Sequence, residues 1–229
     1  MAGPWPKIEI VSATRLGQEE FAERSPLAHS LRRLADPRLA ATIAFANRAS
    51  LPDIYNAAID RESDSQVLVF MHDDVWIDDY FFTERILGGL GQFDVIGLAG
   101  NKRRQQGQQG WCFFDDPATH DDPQYLSGRI AHANHPCGKI QYWGPVPAQC
   151  ELLDGVLLAA RKQTLRERAI RFDPRFAFHF YDMDFCRTAR ERGLRLGTWP
   201  ICVTHESNGN FAAGAWEAAS AHYFQKWKE

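Results

Sequence analysis

Val67-Leu68-Val69-Phe70-Met71-His72-Asp73-Asp74-Val75 is the stretch on which the fold turns. Its first five residues are apolar with no polar alternation. A strand with one wet face alternates, so this run reads as a strand covered on both faces, at the centre of a layered α/β sheet. The two carboxylates after it stand at its carboxyl end, where open α/β sheets receive their ligands. Removed from water without a counter-charge, they cost free energy. A divalent cation supplies that charge and bridges a diphosphate too, since Mg²⁺ and Mn²⁺ take one or two protein carboxylates and fill the rest of their shell with substrate oxygens. The plainer alternative is that Asp73 and Asp74 open a loop and cap a helix.

Upstream of this strand, Ser50 caps a segment with Leu51, Ile54, Tyr55, Ala58 and Ile59 on one helical face. Thr42 to Ala46 reads as a strand. Ser25-Pro26 forms an N-cap and first-turn pair ahead of Leu27, Leu31 and Leu34, and Ile8 to Ser12 is a first strand. Downstream, Asp78 and Asp79 mark a helix start and Val95-Ile96-Gly97-Leu98 a further strand. From Asn101 to about Gln149 periodicity fails and Gln, Gly, His and Pro are frequent, which predicts functional loops and a lid. Val156 to Ala160 is again a strand, Asp182 to Arg192 a helix ended by Gly193, and Ile201-Cys202-Val203 a short strand running into His205. Strands alternating with helices predict a three-layer α/β sandwich around a mostly parallel sheet.

Composition narrows the class. The 229 residues, 45% of them hydrophobic, suit a single domain over 1–229. A net charge of −3, with Lys102-Arg103-Arg104 the one basic block, argues against nucleic-acid binding. Cysteines 112, 137, 150, 186 and 202 form no CxxC pair and fit neither a disulfide framework nor a zinc ribbon, as in a reducing cytoplasm. Met1 leads into Gly3-Pro4-Trp5-Pro6 rather than a signal sequence, and no apolar run nears the roughly 20 residues that span a bilayer. The expectation is a cytoplasmic protein whose membrane contact, if any, is peripheral at the inner face.

Two later motifs complete the set. In Tyr181-Asp182-Met183-Asp184-Phe185-Cys186 two acids open a helix whose far end carries Arg187, Arg190 and Arg192. The pattern complements a helix dipole, and equally offers a carboxylate as general base. Val203-Thr204-His205-Glu206-Ser207-Asn208-Gly209 places a histidine at a strand end before a small polar turn. In this order the motifs resemble the bacterial family 2-like glycosyltransferases of the GT-A (Rossmann-like) fold, from about Ile8 to Gly209. Asn47 with Leu51 to Ile59 is similar to the nucleotide-side loop and its helix, Val69 to Val75 to the strand ending in the DxD-type motif. Asp154-Gly155-Val156-Leu157-Leu158-Ala159-Ala160-Arg161 is similar to the acceptor-side glycine and strand, Tyr181 to Cys186 to the Glu-Asp-x-Asp helix start, and His205 to the late metal-site histidine.

The resemblance implies a metal-dependent enzyme moving a sugar from a UDP, GDP or TDP donor to an acceptor hydroxyl with inversion, in polysaccharide or glycoconjugate assembly. The acceptor would be a glycan, a lipid-linked species or a protein. Residues up to about 100 would form the nucleotide-sugar half, about 101–209 the acceptor half, and 210–229 an amphipathic C-terminal helix. Asp74 and His205, with Asp73, would hold Mn²⁺ or Mg²⁺. Asp182 would be the base, with Asp184 as substitute because Tyr181 stands where the family has Glu. Thr14, Asn47, Asn56, Asp73 and Gly155 would face the donor, and Trp143 and Asp154 the acceptor. Two rivals stay open: a sugar-nucleotide nucleotidyltransferase, which the absence of a Gly-rich basic loop after Ile8–Ser12 disfavours, and a non-catalytic nucleotide- or glycan-binding domain. Trp111, Tyr125 and Tyr142 are further aromatic candidates, while His120, His132 and His135 lack ligand spacing. The stripe Trp216, Ser220, Tyr223 and Trp227 predicts a helix packed on its own domain.

Overall fold

The computed structural model of the chain describes residues 6–207 and 214–229, so Asn208 and Gly209 of the late motif fall outside the described residues, as do Met1 to Trp5. In chain order the elements begin with β1 (Ile8–Ala13), α1 (Gln18–Arg24), α2 (Pro26–Leu34), β2 (Leu39–Ala44), α3 (Leu51–Asp60), β3 (Val67–Met71) and β4 (Val75–Ile77). They continue with α4 (Phe82–Leu90), β5 (Val95–Gly97), β6 (Ala99–Asn101), β7 (Leu126–His132), β8 (Lys139–Gly144), β9 (Ala148–Cys150) and β10 (Leu152–Leu153). The last are β11 (Leu157–Arg161), α5 (Lys162–Glu167), α6 (Tyr181–Glu191), β12 (Leu196–Thr198), β13 (Val203–His205) and α7 (Ala215–Trp227).

Two sheets share the core. The larger runs β2-β1-β3-β11-β5-β12-β9, and the smaller β10-β6-β7-β13-β4 with β8 beside β7. Every residue of β3 is buried, as its unbroken apolar run predicts. The sheet is mixed rather than mostly parallel: β1 pairs parallel with β2 and β3, but β11 enters antiparallel between β3 and β5, and β9 antiparallel to β12. A strand buried on both faces looks the same in either direction, so composition carried no sign of the reversal.

The segment between Asn101 and Gln149 also departs from expectation. It carries β7, β8 and part of β9, whose short irregular runs and bulge between Gly128 and Arg129 hide the alternation. The helix expected at Asp78 starts only at Phe82, because Asp78 instead accepts hydrogen bonds from Thr204 Oγ1 and the Cys137 amide. The caps at Ser25 and Ser50 are present, each hydroxyl accepting from the amide three residues on.

What positions the site is a change of sheet. The chain leaves the larger sheet at Met71, turns through His72, Asp73 and Asp74, and joins the smaller one at Val75, where β4 pairs with β13. That register puts His205 opposite Val75, and the Glu206 amide donates to the Asp74 carbonyl at 2.9 Å. On the other side, Ser25 Oγ and the Leu27 amide at the start of α2 donate to the Asp73 carbonyl. Groups at the start of α2 and just past the end of β13 thus hold the backbone of the two aspartates.

Candidate functional site

At this seam His72, Asp74 and His205 each present a ligand-type atom, all within 4.8 Å of one another. His205 Nε2 lies 3.2 Å from Asp74 Oδ1, and His72 Nδ1 lies 4.0 Å from the same oxygen. That oxygen is buried and accepts no well-formed hydrogen bond, so its closeness to His205 is an ion-pair contact rather than a satisfied acceptor. Atoms about 2 Å from a common ion stand about 3–4 Å from one another, and both contacts to Asp74 Oδ1 fall in that range. Two imidazoles and one carboxylate suit Mn²⁺ or another borderline transition ion better than Mg²⁺, which prefers oxygen.

Charges respond to this enclosure. Burial opposes ionisation of both Asp74 and His205, yet their mutual attraction wins, holding the Asp74 carboxyl below the ordinary carboxylate range and raising His205. Burial lowers His72, against the pull of Asp74, and favours a neutral ring. Asp73 is shifted upward, chiefly by burial and against a hydrogen bond from Thr14.

A second carboxylate faces the same space. Asp182, in the first turn of α6, accepts from the Gly155 amide at 3.0 Å and from the Met183 amide at 2.9 Å. Burial, and then the charge of Asp154, push its pKa up to about 7 despite these bonds. Phe180 ahead of it adopts a left-handed conformation, φ 63°, that turns the chain into the helix. Gly155 has no room for a side chain: a Cβ there would stand 2.4 Å from the Tyr181 hydroxyl and 3.0 Å from Asp182 Cβ. Asp154 turns one oxygen back to the Val156 amide.

Two clefts meet here and share Asp73 and Asp74. One, of about 430 Å³, is lined by the metal-type cluster, Asp154, Gly155, Asp182, and a wall that includes Trp111, Trp143 and Phe178. Trp111 and Trp143 stand edge to face at 5.2 Å. The other, of about 750 Å³, is lined by Thr14, Arg15, Arg24, Asn47 and Arg48 among others. With arginines on one side and aromatic rings on the other, the pair of clefts is joined by carboxylates.

Asp73, Asp74, His205, Asp182, Asp154, Gly155, Trp143, Thr14 and Asn47 are therefore brought to the clefts. Two candidates are not. The Asn56 amide is closed on the backbone of Phe172, donating at 2.7 Å and accepting at 2.9 Å. Asp184 is fully buried and engaged by Lys226 at 2.7 Å and by the Trp227 indole N–H at 2.9 Å. Lys102, Arg103 and Arg104 bond Gln124, Asp121 and Glu229. Arg103 lies over the Tyr125 ring, while Tyr142 is exposed. Sequence reasoning missed His72 as a cluster member, although it directly precedes Asp73. His132, set aside in the sequence for lack of ligand spacing, lines the same cleft, its ring 5.9 Å from that of His205 because β7 runs beside β13.

Residues 27–227 match the family model described as "Glycosyltransferase like family". No curated protein sequence matches the chain. Among solved structures, GalNAc-T7 with UDP, GalNAc and Mn²⁺ superposes with TM-score 0.59 at 10% identity, over 97% of this chain and 48% of that one. The catalytic domain of Drosophila β1,4-galactosyltransferase 7 with xylobiose gives 0.50 at 12%, over 93% and 79%. A197 from STIV gives 0.50 at 13%, over 84% and 81%. At such identities the likeness is one of fold, and the fold is GT-A.

Proposed function

The chain belongs to this glycosyltransferase-like family, and from that premise we propose that it transfers a sugar from a nucleoside diphosphate donor to an acceptor hydroxyl, using a divalent ion and inverting the anomeric centre. The observation that carries the reading is Asp182, a carboxyl with pKa near 7 in the same cleft as His72, Asp74 and His205. A base needs a pKa near working pH and access to the acceptor proton, and Asp182 meets the first condition through burial and Asp154.

His72, Asp74 and His205 would hold the ion, with Mn²⁺ favoured by the imidazoles. When bound, such an ion neutralises charge on a departing diphosphate. The cleft lined by Thr14, Asn47 and the arginines 15, 24 and 48 would take the nucleotide and its phosphates, with Asp73 at the boundary. Trp111 and Trp143 would face the acceptor, where aromatic rings cover apolar sugar faces and leave the hydroxyl edges wet. Asp182, held by the Gly155 and Met183 amides, would take the acceptor proton. GalNAc-T7, which shares the fold, is known with UDP and Mn²⁺, so UDP with Mn²⁺ is the first donor chemistry to test.

Calorimetric titration of UDP, GDP, TDP and CDP with and without Mn²⁺, repeated on Asp74→Ala, tests the reading. Metal-dependent binding of one diphosphate that disappears in the variant is expected. Absence of nucleotide binding with any metal overturns it and favours a glycan-binding domain without turnover.

A further inference from the structure

Tyr181 is buried, and its hydroxyl has two close polar partners besides the neighbouring Tyr55 phenol. Its hydroxyl donates to the Gly155 carbonyl at 2.8 Å, and it lies 3.0 Å from His72 Nε2. A carbonyl can only accept, and a phenol has one proton, so the bond to Gly155 uses that proton and leaves the oxygen to accept from His72. The hydrogen of a neutral His72 therefore sits on Nε2, and Nδ1 carries the lone pair. Nδ1 is the nitrogen that faces Asp74 Oδ1, at 4.0 Å. Two lone-pair atoms opposing each other across that gap, with no proton between them, suit a cation.

We propose that Tyr181 is the positioning residue of the candidate metal site, fixing through the Gly155 carbonyl the tautomer of His72 that turns a lone pair on Nδ1 toward Asp74. The inference rests on the metal reading above. It accounts for three features together. Gly155 has no room for a Cβ because the Tyr181 hydroxyl must reach its carbonyl. Tyr181 and Asp182 are consecutive, so one helix start orients the ligand imidazole and carries the candidate base. The phenol is buried, so its hydroxyl is held by these partners rather than by bulk water. A ligand imidazole whose distal nitrogen is anchored in this way is held in both orientation and tautomer, and loss of such an anchor weakens metal binding about 10–100-fold.

Tyr181→Phe removes the oxygen and keeps the ring. In metal-free, ¹⁵N-labelled wild type, long-range ¹H–¹⁵N correlation is expected to show His72, identified by its loss in His72→Gln, protonated at Nε2 alone. In Tyr181→Phe the signals should move toward a mixture of tautomers, and Mn²⁺ affinity, read from the EPR signal of free Mn²⁺, should fall about 10–100-fold with thermal unfolding still cooperative. A proton on Nδ1 of His72 in wild type overturns the inference, whatever the variant does. So does equal Mn²⁺ affinity in a folded Tyr181→Phe. If wild type binds no Mn²⁺ while His72 is protonated at Nε2, it is the metal reading that fails; the two failures are thus distinct.

Discussion

A carboxyl that keeps its proton to about pH 7 behaves differently from a surface aspartate in two ways, and both are measurable for Asp182. As a base it must be ionised, so turnover should rise with pH through about 7 and level off above it, and Asp182→Asn should remove about 10²–10⁴-fold of turnover while donor affinity stays within a few-fold. For stability the sign is opposite. Between the ordinary aspartate value of about 4 and about 7 the folded state holds a proton that the unfolded chain has released, so the contribution of Asp182 to stability falls as pH rises across that window. Asn cannot ionise, so the melting-temperature difference between Asp182→Asn and wild type should move in favour of the variant from pH 5 to pH 8; no change with pH sinks the assignment. Neighbouring Gly155→Ala should push on the Tyr181 hydroxyl and on Asp182 together, lowering turnover more than stability, as kinetics beside urea unfolding would show. Much of this site was legible residue by residue. Asp74, His205 and Asp182 were exposed as candidates by the strand or helix end each occupies. His72 was not, since the ligand set depends on which imidazole faces inward across a change of sheet. Asp184 and Asn56 lie away from the clefts for the converse reason: a buried acid and a buried amide bonded to structure look, in sequence, like a base and a donor contact.

At the scale of elements, α6 and α7 form a unit tied by one buried charge. Asp184 has no exposure, and Lys226 and Trp227 reach it from α7, with Lys226 also on Asp173 and Arg187 packed over the Trp227 ring. Removing one partner of a buried pair leaves the other charge without compensation, so Lys226→Met should cost about 3 kcal/mol in urea unfolding. Asp184→Asn should likewise lose stability but keep turnover within a few-fold. Loss of turnover with unchanged stability would instead restore Asp184 as the base. The stripe on α7 was readable because 3.6-residue spacing and aromatic side chains coincide, and Tyr223 packs on Phe180 at 5.1 Å as that spacing predicts. The boundaries of β3 and α3 were readable for similar reasons: unbroken apolarity, and a serine cap ahead of a periodic face. Strand direction was not, nor was pairing in the smaller sheet. Both are set by partners distant in sequence, such as β13 on β7, and neither leaves a local pattern.

Over the whole molecule, the candidate ligand atoms belong to two sheets. His72 and Asp74 lie on the link from β3 to β4, His205 ends β13, and the arginine-lined cleft opens at the loops after β1 and β2. An ion held there would tie the link from β3 to β4 to the end of β13, and a nucleoside diphosphate would add the phosphate-side loops to the same cluster. Each ligand would then complete the other's site, so their effects on stability should exceed the sum of the two taken singly. A ligand at 100 times its Kd stabilises the folded state by about 2.7 kcal/mol. For a chain of this size 1 kcal/mol moves the melting temperature by about 2–4 °C, so Mn²⁺ and the cognate diphosphate, each at 100 times its Kd, should together raise it by about 10–20 °C. Nucleotide in EDTA should produce little of that shift, and Asp74→Ala or His205→Ala should abolish the synergy while shifting the ligand-free melt in its own right. Equal stabilisation by the nucleotide with and without the metal would mean that the phosphates do not meet the His72, Asp74 and His205 cluster, and that the two clefts act independently.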